Sequence, residues 1–335
     1  MQKSKYLILG GGMVTGYAAK EMVSQGLKHG ELTIVSADNA VPYERPPLSR
    51  GFLSGKDNEA GIQPRIGIGN TESRCDSIQL SSEAVAWRNI AAENLHLDPT
   101  LKRLRSNSGE EFECEHLLLA TGAQARKLDG RGNDVDNVFY LRSLKDSGTI
   151  RSRSAGAKAA VIIGGGFIGM EVASVLAQKN IQTTLVIRED RVWSRVFTPV
   201  MSAFFEQYYT ARGVRIVKQA RVAALEGKDT VQAVLLGDNE KLSCDLVVVG
   251  VGAVPVTELL EKTVIALDDG IVVNEYLETS RTGIYAGGDV TNYPDTIFGK
   301  RRRVEHWDNA VSQGQHWARV VLGGRQPFVR LPPVN

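Results

Sequence analysis

Hydrophobic residues in this chain come in short runs that end on glycines. Residues 6–9 (Tyr-Leu-Ile-Leu) lead into Gly10, Gly11 and Gly12, and Val14, Ala18 and Met22 follow at helical spacing. This order predicts a strand, a tight turn and an amphipathic helix, with a second strand over 32–35. The same order returns later. An apolar run over 159–163 meets three glycines, Ile168, Val172, Val175 and Leu176 keep helical spacing, and 183–187 closes the unit as a strand. Two strands joined by a helix, twice over, predict the right-handed crossovers of parallel sheets. Further apolar runs end on glycines over 117–123, 247–253 and 283–290, and a helical pattern starts at His306. Residues 63–80 follow neither period and read as loop.

The glycines carry the candidate chemistry. In G-x-G-x-x-G the first glycine makes the turn, the second lets backbone N–H groups approach a pyrophosphate, and the third lets helix pack on strand. The helix N-terminus then presents its positive end to the phosphates. Gly164, Gly166 and Gly169 complete the pattern, with Glu189 at the end of the next strand placed to grip an adenosine ribose. The earlier turn has Gly10 and Gly12, but Thr15 takes the third place, with Gly16 after it and Asp38 as its ribose acid. The expected fold is α/β, with two Rossmann-like dinucleotide-binding domains. The second, residues 142–264, is expected to be inserted into the first, residues 1–141 and 265–335.

Composition narrows the function classes. Forty basic against 38 acidic residues leave a net charge of +2, too balanced for a dedicated nucleic-acid binder. The three cysteines, Cys75, Cys114 and Cys244, show neither C-x-x-C nor zinc-ligand spacing, so no structural metal is expected and each reads as small apolar filler. The apolar run over 246–256 is too short and too glycine-rich to cross a bilayer, so no membrane insertion is expected. A strand predicted almost from the first residue leaves no room for a leader peptide, and a cytoplasmic location is the resulting expectation.

These motifs carry a resemblance. The two glycine turns, with "TSRTGIYAGGDV" and "PYERPPLSRGFL", resemble the two-dinucleotide flavoprotein oxidoreductases, and in particular the branch of ferredoxin and rubredoxin reductases, apoptosis-inducing factors and monodehydroascorbate reductases. "GELTIVSADNAVPYERPPLS", "FTPVMSAFFEQYYTARGVRIV" and "RRVEH" look like the monodehydroascorbate reductases. The resemblance implies FAD in the first site, bound by Gly10, Gly12, Met13, Val14, Thr15, Asp38, Arg45, Arg50, Val85, Arg142, Asp289, Glu305, His306 and Trp307. It implies NAD(P)H in the second, bound by Gly164, Gly166, Phe167, Ile168, Gly169, Glu171, Glu189, Arg195 and Gly252. Glu171 and Arg50 are the implied catalytic residues, an ion pair beside the reacting rings, with Arg50 where relatives have lysine. The alternative is an exposed helix glutamate and an unrelated loop arginine. His306 is expected to position rather than to transfer protons.

Disulfide reductases of this superfamily carry a cysteine pair soon after the first glycine turn, whereas no cysteine here precedes Cys75. The resemblance therefore implies hydride transfer from NAD(P)H to FAD, then single electrons to an external acceptor such as the monodehydroascorbate radical. Glu189 points to NADH because its charge repels a 2′-phosphate. Arg188, Arg191 and Arg195 around it suit a phosphate, so NADPH is expected to be tolerated. Two alternatives stand beside this reading. One is a ferredoxin or rubredoxin reductase component, for which the basic run 300–303 offers either a docking surface or merely a solvated loop. The other is a non-catalytic flavoprotein like the apoptosis-inducing factors. Relatives continue into a third domain, which the resemblance leads us to expect this chain to lack; the oligomeric state is open.

Overall fold

A computed structural model describes residues 1–62, 85–90, 94–130, 132 and 135–329. The stretch 63–80 with Cys75 lies outside the described residues. The helices are α1 (Met13–Ser24), α2 (Gly51–Ser54), α3 (Leu144–Ser154), α4 (Phe167–Gln178), α5 (Pro199–Thr210) and α6 (Trp307–Val321). The chain forms two compact units. One comprises Met1–Arg45, Ala60–Ala123 and Pro255–Asn335, and the other Pro46–Glu59 and Gln124–Val254.

In the first unit, strands Val85–Asn89, Leu32–Ser36, Gln2–Leu9 and Glu111–Leu119 lie side by side and parallel. Ile284–Ala286 adds in parallel to Glu111–Leu119, and Arg103–Ser106 and Leu95–Asp98 extend that edge antiparallel. The first strand is buried on both faces. Leu7 and Leu9 enter one core cluster with Leu117, Leu119 and Ile284, while Tyr6 and Ile8 enter another with Leu118, Val14, Met22 and Trp317. Burial on both faces explains why the sequence reads there as a continuous apolar run rather than an alternation. Helices α1 and α6 meet at Gly314, where a Cβ would fall 2.4 Å from the Val14 carbonyl oxygen.

The second unit holds a five-stranded parallel sheet in the order Val214–Val217, Gln182–Val186, Ala159–Ile163, Leu246–Val249, Val138–Tyr140. A three-stranded antiparallel sheet of Val222–Glu226, Ala233–Leu236 and Lys241–Ser243 shares its core through Leu225, Val234 and Leu236.

Three boundaries differ from the sequence expectation, each for a non-local reason. Val138–Tyr140 pairs with Val247–Val249, so the second unit begins well before residue 142. Leu260 and Ile265 pack in the core of the first unit, so that unit resumes before residue 265. The segment Pro46–Glu59 belongs to the second unit: Ser147 Oγ donates to the Leu48 carbonyl at 2.6 Å, and the Arg151 guanidinium lies 4.8 Å from the Phe52 ring centre.

The basic run is a strand and not a loop. Lys300–Arg303 pairs antiparallel with Thr291–Asp295. Arg301 donates to the Val273 and Asn292 carbonyls, Arg302 to Asp295, and Arg303 to Asp269, Glu305 and the Asp289 carbonyl. Three of its four cations are therefore bonded within the unit.

Candidate functional site: two glycine turns

The first turn joins the strand Gln2–Leu9 to α1. Gly10 has φ +131°, and a Cβ there would lie 2.1 Å from the Ala120 carbonyl oxygen, so only glycine fits the close approach of the two strand ends. Thr15, fully buried, donates its hydroxyl to the Gly10 carbonyl at 2.8 Å. Met13 and Val14 are buried, the latter against Gly287 and Gly288.

The second turn repeats this arrangement. Gly164 has φ +114°, and a Cβ there would lie 2.2 Å from the Gly250 carbonyl oxygen. A Cβ on Gly169 would lie 1.9 Å from the Gly164 carbonyl oxygen. Phe167 and Ile168, at the start of α4, are 42% and 40% exposed, in contrast to Met13 and Val14.

The helix starts show what these turns can hold. The first four N–H groups of a helix lack intrahelical partners and need a cap. Ser143, Thr198 and His306 supply side-chain caps to α3, α5 and α6. Helices α1 and α4 begin instead at Gly12 and Gly166, with no side-chain cap. A Cβ on either glycine would meet nothing within 4 Å. Two unsatisfied helix N-termini facing open space suit the pyrophosphates of two dinucleotides.

Each turn has its acid on the neighbouring strand end. Asp38 follows Leu32–Ser36 and accepts from the Tyr43 hydroxyl at 2.8 Å, and Arg45 Nη1 donates to that same hydroxyl at 2.9 Å. Asp38 is thus oriented before any ribose arrives, and Arg45 stands beside it. Glu189 follows Gln182–Val186. Among the described residues its carboxylate meets no donor closer than Arg188 Nη2 at 3.9 Å. Arg195 is exposed on the same loop.

Glu171, on the second turn of α4, is clamped. Arg50 Nη2 lies 2.5 Å from its Oε1, and Ser49 donates to its Oε2 at 2.5 Å. The hydrogen bond to Glu171 raises the Arg50 pKa. The expected ion pair is formed, and Ser49 joins it as a residue that the sequence reading did not single out. The adjoining "PLSR" was the available signal, because a hydroxyl one residue before the cation can reach the second carboxylate oxygen.

The remaining expected residues have local duties. Val85 is buried and pairs with Leu32. Arg142 N–H donates to Asp146, which forms the capping box of α3 with Ser143. Gly252 has φ +113° and its carbonyl accepts from Arg126 N–H. Asp289 follows the tight Gly287–Gly288 turn, whose Gly288 N–H donates to Gln313 at 2.7 Å. Glu305 pairs with Arg303, and His306 caps α6 by accepting from Asp308 N–H at 3.2 Å. Trp307 is 48% exposed. Cys114 and Cys244 are buried free thiols, pushed by burial up to about 12 and about 11, values that make them inert.

Two sheets built on parallel strands, each with an uncapped glycine turn and an acid just past the adjoining strand, suit a protein that holds two dinucleotides. Residues 4–314 match the family described as pyridine nucleotide-disulphide oxidoreductase, and the chain belongs to that family, whose members bind FAD and NAD(P)H. It is 38% identical over 338 residues to peroxisomal monodehydroascorbate reductase 1 of Oryza sativa subsp. japonica, covering 96% of this chain and 68% of that protein. It is 36% identical to peroxisomal monodehydroascorbate reductase 4 of Arabidopsis thaliana, covering 95% of this chain and 66% of that protein. Among solved structures, a ferredoxin reductase from Rhodopseudomonas palustris superposes with a TM-score of 0.87 at 30% identity, covering 98% of this chain and 78% of that one. The reductase of a covalent putidaredoxin reductase–putidaredoxin complex does so with a TM-score of 0.87 at 27% identity, covering 98% and 78%. The chain spans about two thirds of the length of those two plant relatives.

Proposed function

We propose that the first unit holds FAD, that the second holds NADH in preference to NADPH, and that the protein reduces a one-electron acceptor of the monodehydroascorbate-radical type. The observation that carries this reading is the pair of uncapped glycine turns in a chain more than a third identical to monodehydroascorbate reductases along nearly its whole length. FAD, held by Gly10, Gly12 and the start of α1, would supply hydride acceptance from NAD(P)H and release of electrons one at a time, so that each NAD(P)H would serve two acceptors. The residues of the chain bind and orient. Gly10, Gly12 and the start of α1 receive one pyrophosphate, Gly164, Gly166 and the start of α4 the other. Asp38 and Glu189 grip the riboses, Arg45 supports the flavin nucleotide, and Arg50 and Ser49 hold the Glu171 carboxylate in place.

Anaerobic titration of the yellow protein with NADH, followed by candidate oxidants, tests this reading. It expects stoichiometric bleaching, then rapid recovery of colour with the monodehydroascorbate radical. A colourless protein that refuses added FAD would sink it. A second reading, a reductase for an iron–sulfur carrier, is favoured by the likeness to the ferredoxin and putidaredoxin reductases. Ferredoxin-dependent cytochrome reduction without radical reduction would select it. Slow flavin reduction with a long-lived charge-transfer complex would instead select a non-catalytic role.

A further inference from the structure

Trp193 belongs to no nucleotide-binding motif, yet it joins the second glycine turn to the loop that carries Glu189. Its φ of +49° is a left-handed conformation that a residue with a Cβ keeps only where its surroundings enforce it. Here they do. Trp193 N–H donates to the Gly165 carbonyl at 3.1 Å, and its own carbonyl accepts from Val196 and Phe197 N–H, each at 2.9 Å. Its indole is surrounded by the rings of Phe167, Phe197, Phe205 and Tyr209, with centroids 4.8–6.5 Å away. The preceding Val192 is tied to α5 on both sides, accepting from Ser202 Oγ at 2.7 Å and donating to Glu206 at 3.1 Å. The loop after Gln182–Val186 is therefore pinned to the middle glycine of the turn and to α5.

Glu189 itself has little to hold it. Its backbone carbonyl accepts from Gln219 N–H, and its carboxylate is 3.9 Å from Arg188. Where that carboxylate points is decided by the loop rather than by a partner of its own. Pyrophosphate and adenosine ribose are covalently joined, so the carboxylate rejects a 2′-phosphate only if loop and turn keep a fixed separation. The exposed Arg188 and Arg195 on the same loop would welcome that phosphate if the loop slackened.

We propose that Trp193 is a positioning residue for the nicotinamide dinucleotide: by locking the Glu189 loop onto Gly165 it sets the discrimination between NADH and NADPH. This rests on the reading of the second unit as the nicotinamide site. The test uses the FAD-loaded full chain with Trp193→Leu and Trp193→Phe, measuring kcat and KM for both coenzymes, FAD content and Tm. Trp193→Leu is expected to narrow the NADH-to-NADPH ratio of kcat/KM about tenfold, or about 1.4 kcal/mol. The change should come through KM, with kcat at saturating NADH within about twofold of the parent. Trp193→Phe, which keeps an aromatic ring in the cluster, should recover most of the ratio. Equal losses for both coenzymes, or an unmoved ratio, would overturn the proposal. If Trp193→Leu does not fold, Phe205→Leu, which removes one ring without touching the loop, should narrow the ratio by a smaller amount, and an unchanged ratio there overturns it equally. A parent protein that keeps FAD but binds neither coenzyme would reject the nicotinamide reading itself, a separate outcome.

Discussion

The hydroxyl of Thr15 donates to the carbonyl of Gly10, and in the second turn Gly169 approaches the carbonyl of Gly164 at the matching place with no side chain at all. The third position of each turn lies over the carbonyl of the first. One copy solves the crowding with a glycine, the other with a hydrogen bond. Thr15→Val is expected to cost about 1–3 kcal/mol, because the part-buried carbonyl loses its donor. Gly169→Ala is expected to cost about 3 kcal/mol or more, because the new methyl meets backbone that cannot rotate away. Thermal unfolding of both variants checks the order.

Gly12 and Gly166 predict the opposite. A methyl group meets nothing there in the protein, so Gly12→Ala and Gly166→Ala should each cost about 1 kcal/mol of stability or less. The methyl group stands where a phosphate must approach. FAD retention should fall at least about tenfold in the first and NADH affinity similarly in the second. Equilibrium dialysis and coenzyme titration separate these losses from unfolding.

The clamp on Glu171 makes a kinetic prediction. Glu171→Gln removes the charge that Arg50 and Ser49 hold, and flavin reduction by NADH in stopped flow should slow about tenfold or more. Ser49→Ala leaves one carboxylate oxygen without its donor and should slow it less. FAD content should stay at the parent level in both. Reduction at the parent rate by Glu171→Gln would remove this residue from the mechanism.

His316, on α6, lies against Phe328 with its Nε2 buried and without a hydrogen-bond partner among the described residues, and burial pushes its pKa down from 6.5 to about 4. Between those values the unfolded chain binds a proton that the folded chain refuses, so stability falls as pH drops from 6.5 towards about 4. His316→Gln should flatten that part of the Tm–pH profile and leave the region above 6.5 unchanged in slope.

The basic strand offers a structural check. Asp295 is buried, and Arg302 Nη1 reaches it at 3.3 Å, while two N–H groups share its other oxygen. Arg302→Ala is expected to cost about 1–3 kcal/mol. Lys300→Ala, at an exposed position, should stay within about 0.5 kcal/mol. Chemical denaturation measures both.

Much of this protein is legible in its sequence. The strand over 159–163, the uncapped start of α4 and the place of Glu189 all follow from residues close together in the chain. Ser49 was not, because its partner Glu171 is 122 positions away. Nor was the strand character of Lys300–Arg303: four cations read as solvated until Asp295, Asp269 and the carbonyls of Val273 and Asn292 are brought beside them.

By itself the sequence determined the two turns and their acids, because steric room at a glycine and the reach of the adjoining strand are local properties of a few consecutive residues. Tertiary structure alone decided that Pro46–Glu59 joins the second unit, that Ser49 completes the clamp on Glu171, and that Trp193 fastens a loop to Gly165. Those outcomes depend on which distant surfaces bury against one another, and a hydrogen bond or a ring contact across such a surface leaves no periodicity in the chain.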